Sequence, residues 1–367
     1  MALFTDHLMP PAGKHGRARR IGWIVLGVAF AAGIILAATP APYAIEKPGP
    51  VFNTLGKGEH AGGETPLITV PGKTVYPTKG SLDLLTVSLV GDPAHRPSWL
   101  EVAGAWLDPS QAVIPIDEAF PADVTTEQRD AENQAAMVNS QQDAIAAALT
   151  HLGYDYPTTV SVASLPKDSP AAGVVKANDQ IVSVNGAPVA NITALRAAVK
   201  KNGAGTEATL GVIRDGKKAE LKVTPVEIDG NVVIGIGVKM EYHFPFKVEI
   251  QLDKVGGPSA GMMFSLGIID KLTPGALQGG ADVAGTGTID QAGIVGPIGG
   301  IQQKLYGAKN AGADWFLAPA SNCNEVTGHI PGGLKVFAVK TLDDSLAVLD
   351  AIRTGADTSA LPACPAG

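Results

Sequence analysis

Two side chains in this sequence are of types that can perform acyl transfer together. Ser259 sits in Val255–Gly261, "VGGPSAG", between a Gly-Gly-Pro approach and an Ala-Gly exit. A serine hydroxyl is a weak nucleophile near neutral pH. It needs a base within hydrogen-bond reach and donors aimed at the developing oxyanion. The candidate bases downstream are His329, in "TGHIPGG", and Lys304, in "GPIGGIQQKLYGAKNAG". The helix expected after Gly299 and Gly300 carries Ile301, Leu305 and Ala308 on one stripe. At ~100° per residue, Lys304 lies about 60° from Ile301, on the shoulder of that stripe. A lysine facing the interior there is desolvated, its pKa falls, and its neutral amine can take the serine proton.

The segment after Ser259, "SAGMMFSLGIIDKL", is apolar almost all round and predicts a buried helix. Pro258 suits its first turn. Ser259 is then expected near the helix N-terminus, where free N–H groups and the positive end of the dipole favour an alkoxide. The backbone around Gly257, Pro258 and Ala260 is the expected oxyanion contact. "VGGPSAG" also matches G-x-S-x-G, the nucleophile elbow of α/β-hydrolases, whose triad runs Ser, acid, His along the chain. That fold expects several βα units before the elbow, and His329 is the one histidine after Ser259. A glycine-rich chain produces such matches readily, so this reading is the weaker one.

Composition removes other classes. The net charge is −7 and no Lys/Arg cluster follows the first twenty residues, which disfavours a nucleic-acid partner. The seven histidines are scattered and there is no C-x-x-C, so no metal or other cofactor is expected. Gly72-Lys73-Thr74 ends like a phosphate-binding P-loop, but Leu67 stands where that loop needs its first glycine. No nucleotide-driven motor is expected.

Several elements must position the chemistry. Lys14, Arg17, Arg19 and Arg20 precede "IGWIVLGVAFAAGIILAAT", Ile21 to Thr39. A ~19-residue helix spans about 28 Å, close to the hydrocarbon thickness of a bilayer. The basic flank should stay cytoplasmic, leaving the remaining chain extracytoplasmic. A cleaved signal peptide competes; its apolar region is normally shorter, about 7–15 residues, though Ala37 and Ala38 leave cleavage open. An uncleaved single-pass anchor is the preferred reading. Outside the membrane, Cys323 and Cys364 could form a disulfide tying the C-terminal tail to the last domain. Residues 40–124 read as a membrane-proximal, β-rich region. Thr125 to Gln128 reads as a capping box opening a helix to about Leu152. Ala144, Ile145, Ala148, Leu149 and Leu152 share one face of it, and Gly153 can end it.

The next segment resembles a bacterial PDZ domain, through "TTVSVASL", "SPAAGVVKANDQIVSVNG", the amphipathic "NITALRAAVKK" and a hairpin tipped by Asp215-Gly216. Asn178 departs from that pattern where a glycine usually stands. The resemblance implies a groove between the strand near Thr159–Ala163 and the helix near Asn191–Lys200. A peptide would add there as an extra strand against Thr159, Val160 and Ser161. Its C-terminal carboxylate would be cradled by the loop at Gly153–Pro157.

From about Ile228 to Leu349 the chain resembles the proteolytic domain of Lon proteases, through "GGPSAG" followed by "ADVAGTGTIDQAGIVGPIGGIQQKLYGAKNAGAD". The resemblance implies Ser259 as nucleophile, Lys304 as general base and Thr286 as the residue supporting the lysine. Gly256 departs from the acidic residue of Lon ATPase proteases, so an acid-gated site is not implied. Anchor, PDZ and Lon-type segments together resemble the membrane-anchored PDZ–Lon proteins of bacteria.

The expected fold is α+β and multidomain. It comprises a basic tail (1–20), a transmembrane helix (21–39), the β-rich region (40–124), a helix plus PDZ domain (125–228), a Lon-type α/β domain (229–350) and a tail (351–367). The expected function is an ATP-independent serine endopeptidase cleaving unfolded or flexible extracytoplasmic segments selected by the PDZ domain. The alternative is a membrane-anchored PDZ adaptor with an inactive or latent protease domain. The expected partners are protein or peptide substrates, the membrane through one helix, and, by analogy with Lon rings, further copies of the chain.

Overall fold

The computed structural model describes residues 15–60, 63–121, 124–166, 168–228, 230–253 and 255–365. Lys14 lies outside them. The first helix, α1 (His15–Ala38), contains a 20-residue stretch, Arg19–Ala38, with mean hydropathy 2.4 and no residue buried by the rest of the protein. An apolar helix with none of its apolar stretch buried is compatible with a membrane anchor or a signal sequence.

Strand β1 (Tyr43–Asn53) follows. Pro48 and Pro50 interrupt its ladder, and the register slips between Pro48 and Val51, as a bulge allows. Then come β2 (Ser81–Val90), a short helix α2 (Trp99–Leu107) and β3 (Ala112–Pro115). Thr125 caps the long helix α3 (Thr126–His151): its hydroxyl accepts from Gln128 N, and the Gln128 side chain accepts from Thr125 N. Ala144, Ile145, Ala148 and Leu149 are buried, as the apolar spacing predicts.

The next unit holds β4 (Thr158–Ser164), β5 (Gln180–Val184), α4 (Ile192–Asn202), β6 (Ala208–Arg214), β7 (Lys217–Val223) and β8 (Gly237–Tyr242). Their order in the sheet is β7-β6-β5-β4-β8. Asn185-Gly186 and Asp215-Gly216 have positive φ at both positions, as a two-residue hairpin turn of type I′ requires. Asn178 also has φ +67. Its short polar side chain tolerates the left-handed region that the usual glycine adopts.

The last segment runs α5 (Gly261–Leu272), β9 (Asp282–Gly285), α6 (Ile301–Asn310), β10 (Trp315–Pro319), β11 (Lys335–Val339) and α7 (Leu342–Thr354). These three strands do not form a sheet of their own. The order is β11-β10-β9-β2-β1-β3, with β9 parallel to β2. The expected boundary between a β-rich region at 40–124 and a Lon-type domain starting at 229 is therefore corrected. Both segments share one mixed sheet and one core, in which Leu67, Ile68, Leu82 and Leu84 pack with Met262, Phe264, Leu266 and Leu317. The PDZ unit, with its own core of Val160, Val162, Leu195, Leu210 and neighbours, is inserted between the two halves. Helix α3, expected to belong with the PDZ unit, packs along α5. The PDZ unit is joined to it by Tyr242, whose hydroxyl donates to Asp143 at 2.6 Å.

Cys323 and Cys364 are bonded, across 41 residues of sequence. The tail they hold lies along β11, where Ala338 N donates to Pro362 O at 2.9 Å. Gly72-Lys73-Thr74 forms a surface turn in which the Lys73 ammonium sits 4.4 Å from the Phe246 ring centroid, a cation–π contact and not a phosphate cradle.

Candidate active site

Helix α5 brings Ser259 to the core. Its residues from Gly261 to Asp270 are all buried, so burial of its apolar surface fixes its N-terminal end in place. The helix begins at Gly261, three residues past Pro258, so Ser259 lies in the turn before it and Pro258 is not a first-turn residue. Helix α3 holds that turn on its other side. Gly257 N donates to Asn133 O at 2.8 Å, and Ser140 Oγ donates to Pro258 O at 2.8 Å. Gly257 has φ +83, and a Cβ on Gly256 would lie 2.8 Å from the Asn133 Cβ. Both glycines are required: the first by its backbone conformation, the second by close approach to α3.

These bonds correct the expected oxyanion contacts. Gly257 has already given its N–H to Asn133, and Pro258 has none to give. Among the described residues, Ser259 and Ala260, just before α5, keep N–H groups with no backbone partner.

Helix α6 positions Lys304. It opens at Gly300, φ +66, where a Cβ would lie 2.6 Å from Val87 Cγ2 of β2. That close approach seats the helix on the sheet, and Ile301, Gln303, Lys304, Leu305, Gly307 and Ala308 are all buried. Lys304 is 3% exposed. Burial pushes its ammonium pKa down to about 8, against an opposing pull from the Glu46 carboxylate. Glu46 belongs to β1. Burial and the neighbouring Glu118 charge raise its own pKa, while Lys304 lowers it.

Thr286 connects the two. Lys304 Nζ donates to Thr286 Oγ1 at 3.2 Å, and Thr286 Oγ1 donates to Ser259 O at 3.0 Å. Gly287 N also donates to Ser259 O, at 2.9 Å. Thr286 thus orients the amine and braces the backbone of the serine. Ser259 and Lys304 line one cleft of about 1310 Å³, together with Glu46, Phe52, Met137, Leu252 and the residues Leu84–Leu89 of β2. A smaller hollow of about 330 Å³, walled by Pro258, Thr288, Pro297 and Ile298, also borders Ser259. His329 is not among the cleft residues, so the hydrolase triad has no histidine at the serine.

Glu46, Asn133 and Ser140 escaped sequence reasoning. The signal for the helix pair was present: Asn133, Met137, Ser140 and Ala144 follow the spacing of one helical face. Nothing local marks Glu46, whose relation to Lys304 arises from packing of α6 on β1.

The peptide-binding expectation is corrected by one strand. Strand β4, with Thr159, Val160 and Ser161, is interior: it pairs with β8 on one edge and β5 on the other, and Val160 and Ser161 are each 1% exposed. No edge is left there for an added strand. The sheet ends instead at β8, which α4 flanks. Two N–H groups of the loop at Gly153–Pro157 are also committed. Gly153 N and Tyr154 N donate to the carbonyls of Thr150 and Leu149, closing α3, and Tyr154 stacks edge-on against Phe246.

Two family models match the chain. The PDZ domain family matches residues 128–224, and the Lon protease C-terminal proteolytic domain matches residues 243–351. Lon protease 1 of Sorangium cellulosum is 36% identical over 94 residues, 25% of this chain and 11% of that protein. Lon protease 2 of Bacillus subtilis is 34% identical over 122 residues, 33% of this chain and 20% of that protein. This chain therefore spans a fifth or less of the length of these curated relatives. Among solved structures, the PDZ domain of an SdrC-like protein from Listeria monocytogenes is 25% identical, with a TM-score of 0.21, covering 22% of this chain and 85% of that one. The chain carries a PDZ domain followed by a Lon-type proteolytic domain.

Proposed function

We propose that this protein is an ATP-independent serine endopeptidase working through Ser259 and Lys304. The observation that carries the proposal is the buried Lys304, with its lowered pKa, held by Thr286 in the cleft that Ser259 lines. A neutral amine accepts the proton of the Ser259 hydroxyl as its oxygen attacks the peptide carbonyl. The N–H groups of Ser259 and Ala260, at the positive end of α5, face the charge that develops on the carbonyl oxygen. The protonated Lys304 returns the proton to the leaving amine as the peptide C–N bond breaks, leaving an acyl-enzyme. Water then attacks the ester with Lys304 again as base, releasing the carboxylic acid and restoring Ser259.

The substrates we infer are unfolded or flexible extracytoplasmic segments, delivered as extended chain to a cleft walled by a strand. The PDZ unit recruits them by adding a peptide to the free edge of β8 beside α4, raising the local substrate concentration at Ser259. A peptide-phosphonate or peptide-boronate probe tests the core of this reading. Wild-type protein is expected to label, while Ser259→Ala and Lys304→Ala variants are not. Labelling that persists in Lys304→Ala would sink the dyad.

A further inference from the structure

Helix α2 turns its apolar face outward. Val102 and Ala105 face inward, at 0% and 3% exposure, and pack on Ala41 and Ile45. At ~100° per residue, Leu100, Ala103, Gly104 and Leu107 fall on the opposite side. Leu100 is 52% exposed and Leu107 is 86% exposed. Trp99 and Trp106 share one shoulder of this face, both edge-on to Tyr43, and Trp106 is itself 59% exposed. The one charge on the helix, Glu101, is held at its N-terminus by the Ser98 capping box. A soluble helix normally presents the reverse pattern, with polar residues outward.

The position of α2 identifies what covers that face. Trp99 N donates to Thr39 O at 3.2 Å, and Ala41 N donates to Pro97 O at 2.8 Å. Pro40 and Ser98 form a β-bridge. The start of α2 is therefore stapled to the residues that leave the apolar stretch Arg19–Ala38. Where that stretch crosses a bilayer, its end lies at the interface, and α2 lies beside it. Tryptophans flanking a leucine-bearing face are the composition that favours the headgroup boundary. We propose that α2 is an interfacial membrane helix, with Leu100, Leu107 and Trp106 inserted into the same leaflet that α1 exits. It would add a second point of attachment and hold the catalytic sheet, through β1 and β3, at a set angle to the membrane surface. This inference rests on the anchor reading of α1.

Tryptophan quenching in reconstituted vesicles separates the two claims. The full chain, carrying Ser259→Ala to prevent self-digestion, is placed in phosphatidylcholine vesicles with or without bromine on the upper acyl carbons. An interfacial helix buries its apolar face about 5–10 Å into that region. A Trp23→Phe variant, which lacks the tryptophan inside the apolar stretch, is expected to remain quenched by brominated lipid. Adding Trp106→Phe is expected to remove most of that quenching, as is Leu100→Ser with Leu107→Ser. Quenching of Trp23 in the parent with none in the Trp23→Phe variant overturns the proposal and leaves the anchor standing. Release of the chain by alkaline carbonate with Trp23 unquenched overturns the anchor, and the interfacial helix with it. Efficient disulfide cross-linking of a Leu107→Cys variant between two copies, without lipid quenching, assigns the face to a second copy and overturns the proposal.

Discussion

Replacing Lys304 by methionine should make the protein more stable while removing its activity. The ordinary lysine pKa of 10.5 falls to about 8 at this site, driven by burial and opposed by the Glu46 carboxylate. At 1.36 kcal/mol per pH unit, holding the protonated amine there costs about 3 kcal/mol. The sign follows from proton binding. Between pH 8 and 10.5 the unfolded chain holds a proton on Lys304 that the folded chain has released, so wild-type stability rises with pH across that window. Methionine has similar length and no charge to desolvate. Its advantage is therefore full below pH 8, about 3 kcal/mol, and fades to nothing near pH 10.5. For a folding unit of this size that corresponds to roughly 6–12 °C in Tm at pH 7. Thermal or urea unfolding of Lys304→Met and its parent, both in a Ser259→Ala background, from pH 6 to 10.5 would measure it. A difference independent of pH, or a destabilised methionine variant at pH 7, would refute the claim that Lys304 is held against a desolvation penalty.

Further outcomes follow from the same geometry. Probe acylation of wild-type protein should rise about tenfold per pH unit below the Lys304 pKa of about 8 and level off above it. Glu46→Gln removes a carboxylate that favours the protonated lysine, so the rising limb of that pH–rate profile should move to lower pH; an unmoved limb would detach Glu46 from the site. Ser140→Ala leaves the Pro258 carbonyl with only the long 3.4 Å bond from Gly261 N and should cost about 0.5–1.5 kcal/mol in stability, with acylation slowed as the nucleophile turn loosens. Cys323→Ser with Cys364→Ser opens a 41-residue loop and should cost about 4 kcal/mol in the chain-entropy model, read as a lowered urea midpoint with Ser259 labelling retained in the folded protein.

Chemistry carried by short spacings was legible in the sequence. The apolar stripe around Lys304, the Thr125 and Gln128 capping box and the Asp215-Gly216 hairpin turn depend on neighbours within a helical turn or two, and the residue types alone specify them. The resemblance added Thr286, whose bond to Lys304 no periodicity could have indicated. What lay beyond the sequence was pairing across distance. Residues 40–124 look like a separate β-rich region because their hydrophobic pattern says that each strand has a buried face, not which strand lies beside it. Only the folded chain joins β2 to β9 across the inserted PDZ unit. The same blindness misplaced the peptide edge: β4 has a strand's sequence whether its edge is free or taken, and β8, about 75 residues later in the chain, takes it. Side-chain type and local spacing thus determined which groups can do the chemistry. Tertiary packing decided which backbone donors are still free, how deeply Lys304 is desolvated and which charge from β1 faces it, because burial and hydrogen-bond partners are properties of the folded surroundings and not of the residue.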